Sequence, residues 1–136
     1  MLPLPDWEQI PLTHIILPLF DRNRLKKRLP HLCIFIFILV GNKDIRGCIA
    51  CGTCYEKGKC VFNDMVNELA LKFEEADGLV VASPVYYASA NATLIACLDR
   101  LFYSSHFDKT MKVGASVVCA RRGGCSATFD LSLIHI

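Results

Sequence analysis

The sequence predicts an α/β protein in which helices cover both faces of a parallel sheet, three layers in all. Three observations predict it. From Cys33 onward, apolar β-rich runs alternate with amphipathic helical runs. The connections between them are short, and the first apolar run is hydrophobic on both faces, as a strand buried between helices must be. Strand, helix, strand, helix, strand with short links gives right-handed crossover units.

Residues 1–31 carry no assignable element. Pro3, Pro5, Pro11, Pro18 and Pro30 interrupt any helix or ladder, and neither a helical period nor strand alternation is present. Cys33 to Val40 is the first predicted strand. Gly41 to Cys60 is a loop containing four glycines. Asp64 to Glu75 reads as a helix, capped by Asn63 or Asp64, with Met65, Leu69, Phe73 and Ala76 on one face. Gly78 to Ala82 is a short buried strand, and Ser83 to Ser89 a loop. Asn91 to Tyr103 is a second amphipathic helix with Leu94, Cys97, Leu98, Leu101 and Phe102 on its apolar face. Met111 to Ala120 is the last predicted strand, followed by the loop Arg121 to Cys125. No internal repeat is present.

Composition narrows the function. The chain has 136 residues, 53% hydrophobic and 21% charged, which suits one packed domain and excludes a disordered one. A net charge of +2 gives no case for nucleic acid or an acidic membrane surface, so neither is an expected partner. The apolar run Leu32 to Val40 is too short to span a bilayer and lacks the features of a signal peptide. The final six residues, LSLIHI, match one reading frame of a transposase adaptor used in library preparation. Residues 131–136 are therefore set apart as an adaptor-derived tail.

The densest chemical signal is Cys48-x2-Cys51-x2-Cys54-x5-Cys60, half of the eight cysteines within 13 residues. Cysteines spaced by two let a loop wrap one small inorganic core, and Gly47, Gly52 and Gly58 permit the tight turns. Ferredoxin-type clusters use the same compact run. Zinc ligation, a disulfide and plain thiols are the alternatives. Arg46, Lys57 and Lys59 lie close enough in sequence to offset thiolate charge.

Two further loops follow predicted strands, where open parallel sheets bind ligands. Ser83-Pro84-Val85-Tyr86-Tyr87 offers stiff backbone and an aromatic ring to a planar ligand; the bland reading is a strand-to-helix loop whose aromatics pack on the next helix. Arg121-Arg122-Gly123-Gly124 pairs two cations with close backbone approach, suited to an anionic or carbonyl-rich ligand; the bland reading is a solvated turn. The sequon Asn91-Ala92-Thr93 reads as a helix cap. The four histidines show no ligand spacing. Cys97 and Cys119 read as buried small hydrophobes, Asp99-Arg100 as structural, and Cys125 as a minor candidate for reactivity.

GCIACGTCYEKGKC, ADGLVVASPVYYASANATLIACLDRLF and KVGASVVCARRGG together resemble the iron–sulfur flavoprotein branch of the NADPH-dependent FMN reductase family over residues 39–130. The resemblance implies a flavodoxin-like fold, incomplete here at both ends. It implies FMN as cofactor, held at its ring by Ser83 to Tyr87 and closed at its pyrimidine end by Arg121 to Gly124. It implies a 4Fe–4S cluster on Cys48, Cys51, Cys54 and Cys60, and electron transfer between cluster, FMN and a reduced donor, NAD(P)H or a ferredoxin. A cytoplasmic homo-oligomer is expected. The alternatives are a cluster-free FMN or quinone reductase, and an iron–sulfur electron-carrier module without substrate turnover. One family feature has no counterpart: the phosphate loop GSPRxxGNT. The first 40 residues contain no Gly, no Ser and a single Thr, Thr13. Residues 1–38 are accordingly expected to be an atypical start, from a different frame or divergent, ahead of a flavin-binding domain at 39–130.

Overall fold

The computed structural model describes residues 13–20 and 33–133. They form β1 (His14–Phe20), β2 (Cys33–Leu39), α1 (Thr53–Lys57), α2 (Met65–Glu75), β3 (Gly78–Val85), α3 (Ala92–Ser104), β4 (Val113–Ala120) and α4 (Cys125–Leu133). The four strands make one sheet in the order β2-β1-β3-β4.

β3 and β4 pair in parallel, with α3 as their crossover. β1 lies between β2 and β3 and is antiparallel to both, so β2 points the same way as β3 and β4. The three expected strands are therefore co-directional, the fold class is the expected flavodoxin-like α/β one, and the sheet as a whole is mixed. β1 occupies the stretch whose pattern assigns no element. Its proline explains why: Pro18 lies beyond His14 to Ile16, the only β1 residues that pair with β3. There the β3 side offers β1 a donor rather than an acceptor, the Asp77 N–H to the Pro18 carbonyl at 3.0 Å, and a missing N–H is tolerated. Pro84 is placed alike, past the β3 residues that pair with β1, and β3 continues to Val85 because β4 pairs with it that far. Pro84 and Val85, expected in a loop, are thus strand residues.

Register decides which side chains meet. Ile15 and Leu17 of β1 share a face with Leu79 and Val81 of β3. All four are buried against Leu69 and Phe73 of α2 and Leu94, Leu98 and Leu101 of α3. Each such side chain contributes roughly 1.5–3 kcal/mol by leaving water. On the opposite side Phe35 and Phe37 of β2 and Val117 of β4 are exposed, so among the described residues the helical layer formed by α2 and α3 covers one face.

α2 and α3 lie within a residue of expectation because their caps are legible. Asp64 Oδ1 accepts from the Val66 N–H at 3.1 Å, and Asn91 Oδ1 accepts from Thr93 and Leu94 at 2.9 and 3.2 Å. α1 and α4 are additions. α1 is one short turn held between Gly52 and Gly58, both left-handed at φ 73° and 66°. α4 buries Thr128 and Ser132 and leaves Phe129 and Leu131 outside, the reverse of an apolar stripe. It includes Leu131 to Leu133 of the segment set apart as a tail, just as β1 and most of β2 fall in the segment set apart as an atypical start.

Candidate functional site: a cysteine pocket and a carboxyl-edge ledge

Cys48, Cys51, Cys54 and Cys60 line one pocket, together with Ile49, Phe62, Arg100 and Tyr103. The chain wraps it through two left-handed positions that flank Cys51, Ala50 at φ 53° and Gly52 at φ 73°. α1 then turns Cys54 inward, where its side chain is buried and its Sγ lies 3.8 Å from the Tyr103 carbonyl. The other three sulfurs receive donors. The Ala50 N–H donates to Cys48 Sγ at 3.4 Å. The Thr53 hydroxyl, then its N–H, donates to Cys51 and holds that thiol below its ordinary pKa. Arg100 Nε donates to Cys60 Sγ at 3.2 Å. The Thr53 donors favour the Cys51 thiolate, and thiolate is the form that ligates metal.

Among the described residues no three Cys, His, Asp or Glu side chains converge on a single ion. Four thiols spaced around a pocket suit a polynuclear core that takes one thiolate per iron, rather than one tetrahedral zinc. The seven cysteines from Cys48 onward are all free, so no disulfide consumes these sulfurs. The donor set therefore fits an iron–sulfur cluster.

Cys60 is fixed more firmly than its neighbours. Asn67 of α2 accepts from the Cys60 N–H at 2.9 Å and donates to its carbonyl at 3.2 Å. Arg100, read from sequence as merely structural, is 1% exposed and reaches the pocket wall. Its NH1 and NH2 bind Asp64 at 2.6 and 2.8 Å, NH1 also donates to the Arg46 carbonyl at 3.2 Å, and the guanidinium lies 5.0 Å from the Phe62 ring centre. Burial works against the Arg100 charge, but the hydrogen bonds to Asp64 and Cys60 outweigh it and hold the group above its ordinary pKa. A signal existed in the sequence: Arg100 falls on the apolar stripe of α3, and a cation there needs a buried partner. His106, which has no ligand spacing in sequence, places Nε2 3.0 Å from the Cys54 carbonyl.

The second region is the carboxyl edge of β3 and β4. Because Val85 pairs with Ala120, the segments after them adjoin. Gly124, at φ 88°, sits so close that a Cβ would meet Val85 Cγ1 at 3.1 Å and the Ala88 backbone at 3.2 Å. The structure thus brings Ser83 to Tyr87 and Arg121 to Gly124 to one edge. Tyr86, Tyr87, Arg121, Arg122 and Gly123 are exposed there. Ser83 is different: its hydroxyl is buried, accepts from the Asn91 N–H at 3.0 Å and donates to the Pro84 carbonyl at 3.0 Å. It fastens the loop to the start of α3 rather than facing solvent.

Of the remaining candidates, Cys97 is buried, and burial pushes its thiol up to about 12. Cys119 is exposed, not buried, because it lies on the uncovered side of β4, an edge strand. Cys125 is exposed at the start of α4.

Comparison with known proteins shows what the chain is similar to. An iron–sulfur flavoprotein of Methanocaldococcus jannaschii is 38% identical over 106 residues, covering 73% of this chain and 55% of that protein. One from Methanosarcina thermophila is 38% identical over 97 residues, 68% of this chain and 51% of its own length. One from Archaeoglobus fulgidus is 39% identical over 80 residues, 58% of this chain and 36% of its own. The chain spans about half the length of the first two relatives. No solved structure gives a significant match. The family model described as NADPH-dependent FMN reductase matches residues 23–135, wider than the 39–130 marked by the motifs. The chain belongs to the NADPH-dependent FMN reductase family.

Proposed function

We propose that this chain is the cofactor-bearing part of an oxidoreductase that moves electrons between a reduced donor, FMN and a 4Fe–4S cluster. The observation that carries the cluster half is the pocket that all four motif cysteines line, with N–H and O–H donors supplied to three of them. Cys48, Cys51, Cys54 and Cys60 would each hold one iron. FMN would lie on the carboxyl edge, with Pro84 and Val85 as its rigid floor, Tyr86 and Tyr87 against the ring, and Arg121 to Gly124 over its carbonyl-rich end. When bound, the two cofactors supply two-electron and one-electron redox chemistry; the protein supplies position and electrostatics. The relatives' names support both cofactors, and the family description supports a nicotinamide donor.

The two stations flank opposite ends of α3, whose 13 residues rise about 20 Å at 1.5 Å each. They are therefore separate within one copy. The exposed apolar side of the sheet supports the further proposal that copies of this chain self-associate.

Anaerobic reconstitution with iron and sulfide tests the reading. The expected result is a broad visible charge-transfer absorbance with stoichiometric iron and sulfide, lost in Cys51→Ser. Stoichiometric zinc without iron or sulfide would overturn it.

A further inference from the structure

We infer that Arg100 is a positioning residue for the cluster: its Nε–H is a built-in hydrogen-bond donor to the sulfur of Cys60 and raises the cluster's reduction potential. This rests on the cluster reading above and deepens it.

The geometry assigns the role. A guanidinium has five N–H donors in a rigid plane. In Arg100 the far edge is taken by Asp64, which binds NH1 and NH2 together, and NH1 also serves the Arg46 carbonyl. Of the two N–H groups that remain, one on NH2 and one on Nε, the Nε–H points at Cys60 Sγ, 3.2 Å away. The side chain has little freedom to move off this line. It is buried, and Asp64 is itself held, since its Oδ1 also caps α2 at Val66. The receiving sulfur is equally fixed, because Asn67 binds the Cys60 backbone at both N–H and carbonyl. Donor and acceptor are thus each anchored from behind, the pattern by which surrounding residues tune a metal ligand.

The direction of the effect follows from charge. Reduction adds negative charge to a cluster and its thiolates, so a hydrogen bond donated to a ligand sulfur stabilises the reduced form more than the oxidised one. Asp64 offsets the guanidinium's net charge but not its directed N–H. A Lys here reaches Asp64 as a single ammonium, without the fork that holds one donor on each partner.

The test uses the reconstituted full chain, wild type and Arg100→Lys, with Arg100→Gln as a second variant. Expected in both variants is a more negative midpoint potential. A tenfold drop in the reduced-to-oxidised ratio at fixed potential corresponds to 59 mV for one electron. A measurement on wild type alone guards against variants that fail to fold. Pulsed magnetic resonance on the reduced cluster in protein carrying 15N-arginine should show a coupled arginine nitrogen. An unchanged potential in a variant that retains its cluster, or no arginine coupling in a wild type that has one, overturns the inference and leaves the cluster reading standing. A wild type that assembles no cluster overturns both.

Discussion

Truncating Asp64 to Ala should destabilise the protein by about 4 kcal/mol, because it strands the Arg100 charge. The Arg100 side chain is fully buried and that of Asp64 is 24% exposed, with the two in contact at 2.6 Å. Removing one partner of a buried pair costs about 3–5 kcal/mol. The partial exposure of Asp64 argues for the lower end, since water can enter the space its carboxylate leaves. Asp64 also caps α2, and losing a cap adds about 1 kcal/mol. Against a total stability of about 5–15 kcal/mol, a loss of this size leaves a marginal fold. Urea unfolding followed by circular dichroism measures it, at unchanged slope. Asp64→Asn keeps the capping oxygen and should recover only the cap's share. Asp64→Ala combined with Arg100→Met should recover more, because no charge is left buried. Raising salt should change little, since a buried pair is weakly screened. A loss under about 1 kcal/mol for Asp64→Ala, or a double variant no better than the single, would refute the reasoning.

Cys97 makes stability fall in alkali: its folded thiol titrates at about 12 against 9.0 for the ordinary thiol, so its contribution is intact below pH 9 and is lost as pH rises toward 12. Cys97→Ala, compared by urea midpoints across that range, should flatten the decline. Asn91→Ala should cost about 1 kcal/mol, read in the same assay, as Thr93 and Leu94 lose their cap. FMN should bind this chain weakly, because β1 runs antiparallel to β3 and brings its start, beside Thr13, to the carboxyl edge where the family's phosphate loop would leave a strand. Losing two charge-assisted hydrogen bonds of about 1.5–3 kcal/mol each weakens binding roughly a hundredfold or more; flavin fluorescence showing affinity of about micromolar or tighter would contradict this.

The elements legible in the sequence are those whose local signals agree with their packing. α2 and α3 have an Asx cap, an apolar stripe and a clear end. The Cys spacing is legible because all four pocket cysteines come from one continuous segment. What the sequence hides depends on neighbours distant along the chain. β1 contains Pro18 and is admitted only because β3 stops pairing before it. β3 outlasts its apolar run because β4 supplies a ladder to Val85. α4 buries Thr128 and Ser132, so its buried side looks polar. Arg100 reads as merely structural until Asp64, 36 positions away, closes on it.

β1 is also the only strand that joins β2 to the rest of the described sheet. Its register with β2 runs over seven residue pairs, but its register with β3 over three, from His14 to Ile16. The sheet therefore has a seam. On one side is a hairpin, on the other a β3-α3-β4 unit paired over eight residues and carrying the carboxyl-edge ledge. Cooperative opening follows the boundary with the fewest shared bonds, so the hairpin should exchange its amide hydrogens as a block, ahead of β3 and β4. Protection that is level across β2 and β1 and steps up once at β3 is the footprint of that division.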